Sequence, residues 1–337
     1  MTARLHTHRP LWDGRTTAPL GLGTYLAPST DVGDAALRGA LEAGLMAGIT
    51  LLDTSVNYRD QRSERVVGAV LRGMDPDQRA AITVCTKVGF VPWEVVPPDD
   101  DEAYYHATVI DAGLARRNEL APGGHCIAPR YVAWSVDRSL TNLGVDRLDL
   151  VYVHNPEAQR GLVDEETTYA RLRVAFEVLE GYVAAGRVGV YGVATWNALR
   201  THLGGPEHLS LERIFGAARE AGGEAHHFRV VQAPCNLLAP ELITARTQSL
   251  SGTVPVSALA AAHALGLRVI TSAPLAGGEL RHRARAALDF ARSLPGIACV
   301  LVGARTAGQV SLPAALLGEP PLRAPALRAL LEQLATP

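Results

Sequence analysis

Asp53, Tyr58, Lys87 and His154 each stand at, or just beyond, the end of a short apolar run. Side chains of these four types can move a proton to or from a carbonyl oxygen. A free phenol titrates near 10 and relays protons poorly at neutral pH; a neighbouring ammonium favours the phenolate. A carboxylate would keep that ammonium charged and oriented, and an imidazole would donate a hydrogen bond to the substrate oxygen. General acid–base help of this kind is worth roughly 10²–10⁴-fold in rate. Taken singly, each residue has a plainer use as a buried ion pair, a turn tyrosine or a core histidine. The lysine adds weight to the joint reading. Among 32 Lys and Arg residues Lys87 is the sole lysine. Arginine is planar and permanently charged, whereas lysine is a compact donor with a tunable pKa. Either an ammonium is required at this position, or drift in composition left one lysine by accident.

The elements that would position these residues repeat along the chain. Near-continuous apolar runs occur at Ile49–Asp53, Ala81–Thr86, Leu148–Val153, Val188–Val193, Arg229–Ala233, Leu267–Ser272 and Ile297–Val302, with a shorter candidate at Leu20–Thr24. Such runs suit strands buried on both faces of a parallel sheet. Helical spacing follows each of them, over Asp31–Ala47, Ser63–Leu71 (Ser63 as a possible N-cap), Pro129–Leu143, Thr167–Ala185, Leu209–Ala221, Ser257–Leu265, Leu280–Ser293 and Ala307–Leu317. Eight strand–helix units in a row predict an α/β fold, a single (β/α)8 TIM barrel spanning 1–337 with long loops at its C-terminal face. A doubly wound open sheet lacks support, because no GxGxxG opens a helix after any candidate strand. In a barrel the reacting side chains sit at strand carboxyl ends, where these four fall. Residues 1–19 read as an N-terminal segment. The stretch 88–128, with Trp93, Tyr104, Tyr105 and the acidic run Asp99–Glu102, is a long loop after strand three, expected on the substrate side.

Composition narrows the class. The formal net charge is −2 and 47% of residues are apolar, which excludes disorder and gives no basic excess for nucleic acid. Every apolar run soon meets a charge, glycine or proline, so no membrane span is expected. The N-terminus lacks an apolar secretion segment and no pair of the four cysteines forms a CxxC, which predicts a reducing, cytoplasmic setting. His202, His208, His226 and His227 lack regular ligand spacing, so no metal is expected.

With those residues in hand, the chain resembles the aldo-keto reductase superfamily over nearly its whole length. DTSVNYRDQRSERVVGAVL at Asp53–Leu71, TKVG at Thr86–Gly89, LDLVYVHNP at Leu148–Pro156 and LGLGTY at Leu20–Tyr25 carry the likeness. The resemblance implies Tyr58 as general acid/base, Lys87 and Asp53 tuning it, His154 orienting the carbonyl, and NADP (NAD also possible) supplying hydride. It implies cofactor contacts at Gly23, Thr24, Tyr25, Asp53, Thr195, Gln232, Ser272, Pro274, Leu275, Gly278, Gly303, Arg305, Thr306 and Gln309, and substrate contacts at Tyr25, Trp93, Asn155 and Trp196. Arg305 favours NADP, since it could meet a 2′-phosphate. Several positions depart from the family. Ala194-Thr195 replaces a Ser-Asn pair that holds the nicotinamide carboxamide. Ser272 replaces an aromatic stacked on the ring, and Leu312 and Pro313 replace a Glu and Asn near the adenine. Each lost hydrogen bond or stacking contact costs about 0.5–1.5 kcal/mol. Thr195 can still bond an amide, and Trp196 or Tyr191 could supply an aromatic face.

The leading expectation is an NADP-dependent reduction of a small aldehyde or ketone, or the reverse oxidation of an alcohol. The eroded cofactor positions motivate a second, in which the same tetrad runs a hydride-free elimination, isomerisation or cyclisation. A non-catalytic binding subunit and a Schiff-base aldolase through Lys87 are weaker, because the tetrad is intact and Asp53 would keep the amine protonated.

Overall fold

Eight parallel strands close into a barrel in the computed structural model, which describes residues 8–94, 96–252 and 254–335. They are β1 (Leu20–Gly23), β2 (Leu51–Asp53), β3 (Thr83–Val88), β4 (Leu148–His154), β5 (Val188–Ala194), β6 (Phe228–Pro234), β7 (Arg268–Ser272) and β8 (Ile297–Gly303). β8 returns to β1 through the pairs Val300↔Leu20 to Gly303↔Gly23, which closes the ring. All eight candidate strands of the sequence are present, with ends moved by one or two residues. The first seven residues of the N-terminal segment lie outside the described residues.

The strand side chains sort into two cores. Leu51, Cys85, Leu150, Tyr152, Val190, Val230, Ile270 and Cys299 fill the barrel interior. The alternate side chains, with Leu37, Leu41, Val136, Leu172, Phe176 and Ile214 of the outer helices, form the larger shell. Gly192 shows how tightly β5 and β6 approach: a Cβ there would lie 2.0 Å from the Val230 carbonyl oxygen. All four cysteines are buried and free.

Beneath the barrel, a hairpin pairing Arg9–Pro10 with Thr16–Thr17 pushes Leu11 and Trp12 into the interior. Asp149 anchors that end by accepting from Arg15, Arg79 and the Val84 amide. Sequence spacing missed this hairpin, the helix Pro76–Ala81 and the terminal helix Ala324–Ala335. Ser63 is not the N-cap of its helix: the helix starts at Arg62, and the Ser63 hydroxyl donates to the Thr24 carbonyl. No helix among the described residues is long and apolar enough to cross a membrane.

The 88–128 excursion carries structure of its own. It contains a short helix (Asp101–Tyr105), a π-helical turn (His106–Asp111) and a hairpin pairing Leu120–Ala121 with His125–Cys126. Val91, Tyr105, Val109, Cys126 and Tyr131 give it a small core, against which Trp93 packs.

Candidate active site

Asp53 ends β2 and Lys87 lies one residue before the end of β3, so both side chains reach the carboxyl rim of the barrel. The Lys87 ammonium is fully buried. It donates to Asp53 Oδ1 at 2.5 Å and to the Thr54 carbonyl at 2.8 Å. Its nitrogen sits 4.5 Å from the centroid of the Tyr58 ring, with the remaining N–H available to the phenol. Burial disfavours the ammonium, yet Asp53 and Tyr58 outweigh burial and hold its pKa above the ordinary lysine value. Asp53 Oδ2 accepts from Gln232 Nε2 at 2.8 Å, so the carboxylate is oriented from both sides.

Burial is the largest influence on Tyr58 and pushes its pKa up. Lys87 pulls the other way without overcoming it, and Asp53 adds a further upward push. The sequence-based expectation of a net lowering is thereby corrected: the ammonium acts in the expected direction, but the low-dielectric pocket wins. At neutral pH the phenol keeps its proton.

The turn that follows Tyr58 is built unusually. Arg59, Asp60 and Gln61 all have left-handed backbone, with φ of 52°, 56° and 66°. Left-handed non-glycine residues cost on the order of 1–3 kcal/mol each. Hydrogen bonds offset that cost. The buried Arg59 guanidinium donates to the carbonyls of Ala27 and Pro28 and to Asp34, and Gln61 bridges the Trp93 carbonyl and Asn142. Glu64, also buried, accepts from Thr86 and Asn142 just behind Lys87.

His154 ends β4, its ring edge-on to Tyr58 with centroids 5.9 Å apart. Burial, the Lys87 charge and His125 hold its pKa well below the ordinary histidine value, so the ring is neutral. Its Nδ1 is buried without a partner. An unpaired buried N–H costs more than an unpaired lone pair, which favours the tautomer with the proton on Nε2, available to a carbonyl oxygen in the cleft.

A cleft of about 700 Å³ opens above these groups. Of the residues singled out from sequence, Gly23, Tyr25, Asp53, Tyr58, His154, Asn155, Thr195, Trp196, Gln232, Ser272, Pro274, Leu275, Gly278, Gly303, Arg305 and Gln309 line it. Four expected residues do not line it, the buried Lys87 among them. Thr24 is buried, its hydroxyl turned onto the Asp53 carbonyl. Trp93 packs into the excursion's own core, so it is not a substrate wall. Thr306 stands at the N-cap of the helix Ala307–Leu317, outside the lining. Gln309 is engaged, accepting from the Arg305 amide at 2.7 Å. Tyr191 cannot supply an aromatic face, being buried in the outer shell with its hydroxyl on Glu180.

Residues the sequence reading passed over complete the cleft. Leu26 and Gly277 line it, and Arg281 joins Arg305 there. Neither arginine carries an ion pair among the described residues. Arg281 lies three residues past Gly278, one of the expected cofactor contacts. Glu157, three residues past His154, bolts down the Trp196 loop: its Oε1 accepts from the Trp196 amide at 2.6 Å and the Asn197 amide at 2.9 Å.

Two neutral histidines, His154 in the cleft wall and His125 behind it, make the fold acid-sensitive. His125 is fully buried, and burial lowers its pKa to about 4. Between pH 6.5 and 4 the unfolded chain binds a proton that folded His125 refuses. Stability present above pH 6.5 is therefore lost as pH falls towards 4, by about 3 kcal/mol for this group alone. His154 acts in the same direction. Urea melts at pH 7.5 and pH 4.5 should show the loss, and His125→Gln should reduce it; an unchanged midpoint would remove the effect.

A family model described as the aldo/keto reductase family matches residues 19–293. A 6-dehydroglucose reductase of Agrobacterium fabrum is 25% identical over 171 residues, covering 51% of this chain and 47% of that protein. The chain thus matches about half the length of this curated relative. An aldo/keto reductase of Klebsiella pneumoniae, crystallised with NADP and acetate, superposes with a TM-score of 0.62 at 20% identity, over 96% of this chain and 93% of that one. The holo form of an aldo-keto reductase from Bacillus halodurans gives 0.66 at 17% identity, over 97% and 95%. These two structures share the fold.

Proposed function

The chain belongs to the aldo/keto reductase family, and on that premise we propose that it is an NADPH-dependent reductase of a small aldehyde or ketone. The observation that carries the proposal is the buried Asp53–Lys87 pair beneath the Tyr58 ring at the mouth of a long cleft. NADP in a named structural neighbour is consistent with it.

The cleft suits a dinucleotide. Gly277 and Gly278 leave open space where side chains would intrude, and Arg281 and Arg305 supply cations for phosphate groups. Tyr25, Gly23, Gln232 and Thr195 would flank the nicotinamide end. Bound there, the cofactor would supply hydride to the carbonyl carbon. The protein's part is the proton. Tyr58 donates its hydroxyl proton to the carbonyl oxygen, and Lys87 stabilises the phenolate left behind. His154 holds that same oxygen by a hydrogen bond from Nε2. Asp53 keeps Lys87 charged, and Gln232 fixes Asp53. A tyrosine that retains its proton at neutral pH can serve as the acid that reduction requires. Tyr25, Asn155 and Trp196 form the substrate side.

A second reading has one observation in its favour. Gln232 Nε2 is committed to Asp53, and the Thr195 hydroxyl faces the Gln232 carbonyl at 3.5 Å, which leaves the nicotinamide carboxamide acceptors (Gln232 Oε1 and the Thr195 oxygen) but no free side-chain donor from this pair. The same four residues could then run a hydride-free isomerisation. Quenching of tryptophan emission on titration separates the two, since Trp196 lines the cleft. NADPH is expected to bind about 10–100-fold more tightly than NADH, the difference one or two charge-assisted bonds to a phosphate provide. Arg305→Ala is expected to erase most of that preference. Silence with both cofactors up to millimolar concentration would transfer the case to the isomerase.

A further inference from the structure

The 88–128 excursion was expected on the substrate side, yet it contributes no residue to the lining of the cleft. Its hairpin instead returns beneath the strand that carries His154. We infer that His125, at the tip of that return, is a positioning residue for His154, an inference that rests on the reductase reading above.

His154 is the last residue of β4. Pairing with β3 stops at Val88↔Val153, one residue short of it, and Asn155 turns at once into left-handed backbone with φ of 42°. The His154 carbonyl therefore has no strand partner on the β3 side. His125 supplies one: its Nε2 lies 2.7 Å from that oxygen. The other ring nitrogen, Nδ1, is 2.8 Å from Gln159 Nε2. An amide nitrogen can only donate, so Nδ1 is the acceptor and Nε2 carries the proton given to His154. Gln159 is held in turn by Arg171, whose other guanidinium nitrogen donates to the Asn118 carbonyl. The Phe90 ring stands edge-on to both imidazoles, 4.9 Å from His125 and 5.1 Å from His154.

The close approach depends on Gly89. Its φ is +137°, and a Cβ there would lie 3.0 Å from both His125 Nε2 and the His154 oxygen. The hairpin is stitched alongside by Cys126 N–H to the Gly89 carbonyl and Val91 N–H to the Gly124 carbonyl. The N–H of the same peptide is held on the β5 side, where Asn155 donates to the Ala194 carbonyl at 2.6 Å. Without the bond from His125 the peptide is pinned at that end alone and can tilt, carrying the imidazole off the carbonyl oxygen. A misplacement of about 1 Å can cost on the order of 10²-fold in rate. His125 touches no reacting atom, so it acts through His154.

The test compares three variants of the full chain. Gln at 125 can place its amide nitrogen where Nε2 sits; Asn is too short, and Leu removes the donor. His125→Leu and His125→Asn are expected to lower kcat for an aldehyde about 10–100-fold with NADPH affinity within about threefold. His125→Gln is expected to recover kcat to within about threefold. Equal kcat in all three, or a Gln variant as poor as Asn, overturns the inference. Nitrogen-detected imidazole spectra of the cofactor-free protein provide the second readout, with the His154 signal assigned from its loss in His154→Gln. Wild type and His125→Gln should show one Nε2–H species, while His125→Asn should show a shifted or doubled signal; identical spectra in all three count against the inference. If the wild type reduces no carbonyl, the reductase reading fails, and these spectra alone decide the role of His125.

Discussion

Tyr58→Phe is expected to lower carbonyl turnover about 10²–10⁴-fold while leaving NADPH affinity within about threefold. The substitution removes one oxygen and keeps the ring. The ring is what Tyr25 packs against, edge-on at 5.1 Å, and what lies above the Lys87 ammonium. The fold and the cleft walls should therefore survive. What disappears is the phenol that, among the described residues, Lys87 meets, and with it the proton delivered to the carbonyl oxygen. His154 cannot substitute as the acid, because burial and the Lys87 charge keep its ring neutral. Steady-state rates with a generic aldehyde, alongside the emission titration, give both numbers from one preparation. A variant that turned over within tenfold of wild type would take Tyr58 out of the chemistry.

Much of this site was legible because barrel geometry and chemistry coincide. Parallel strands covered on both faces read as unbroken apolar runs, so VGVYGV and IACVLV announced themselves, and their carboxyl ends named the candidate positions. The sole lysine singled out Lys87. The electrostatic balance at Tyr58 was not legible, since it depends on how completely the pocket excludes water. The attachment of Trp93 to a separate small core was hidden for a similar reason: the excursion folds on itself, and nothing in its aromatic content says which way those rings face. His125 was invisible for want of a pattern. It lies 29 residues from His154 in the chain, and only the hairpin brings it back. Arg59 and Gln61 were also unmarked, because no rule of spacing predicts left-handed backbone at an arginine and a glutamine; the hydrogen bonds that hold them come from residues remote in sequence.

Lys87→Met is expected to cost both activity and stability, for separable reasons. Removing the ammonium leaves Asp53 buried with Gln232 as its remaining side-chain donor. Breaking a buried pair from one side typically costs about 3–5 kcal/mol, because the surviving charge has lost its partner. Adding Asp53→Asn neutralises that charge and should restore most of the lost stability in urea melts. Turnover should not return. Burial already pushes the Tyr58 pKa up, and Lys87 is the principal influence that lowers it. Without the ammonium, the phenolate left after proton transfer has no stabilising cation, so kcat stays about 10²–10⁴-fold down in single and double variants alike. In the alcohol-oxidising direction, where Tyr58 must accept a proton, the rising limb of the pH profile should move to higher pH. Lys87→Arg tests whether charge alone suffices. A guanidinium is larger and planar, and the lysine it replaces has 0% side-chain exposure against Asp53 and the Thr54 carbonyl. The arginine variant is expected to retain the charge and lose the geometry, with overpacking of about 1–3 kcal/mol and kcat close to that of Lys87→Met. Wild-type turnover in the arginine variant would mean that the solitary lysine of this arginine-rich chain is an accident of composition after all.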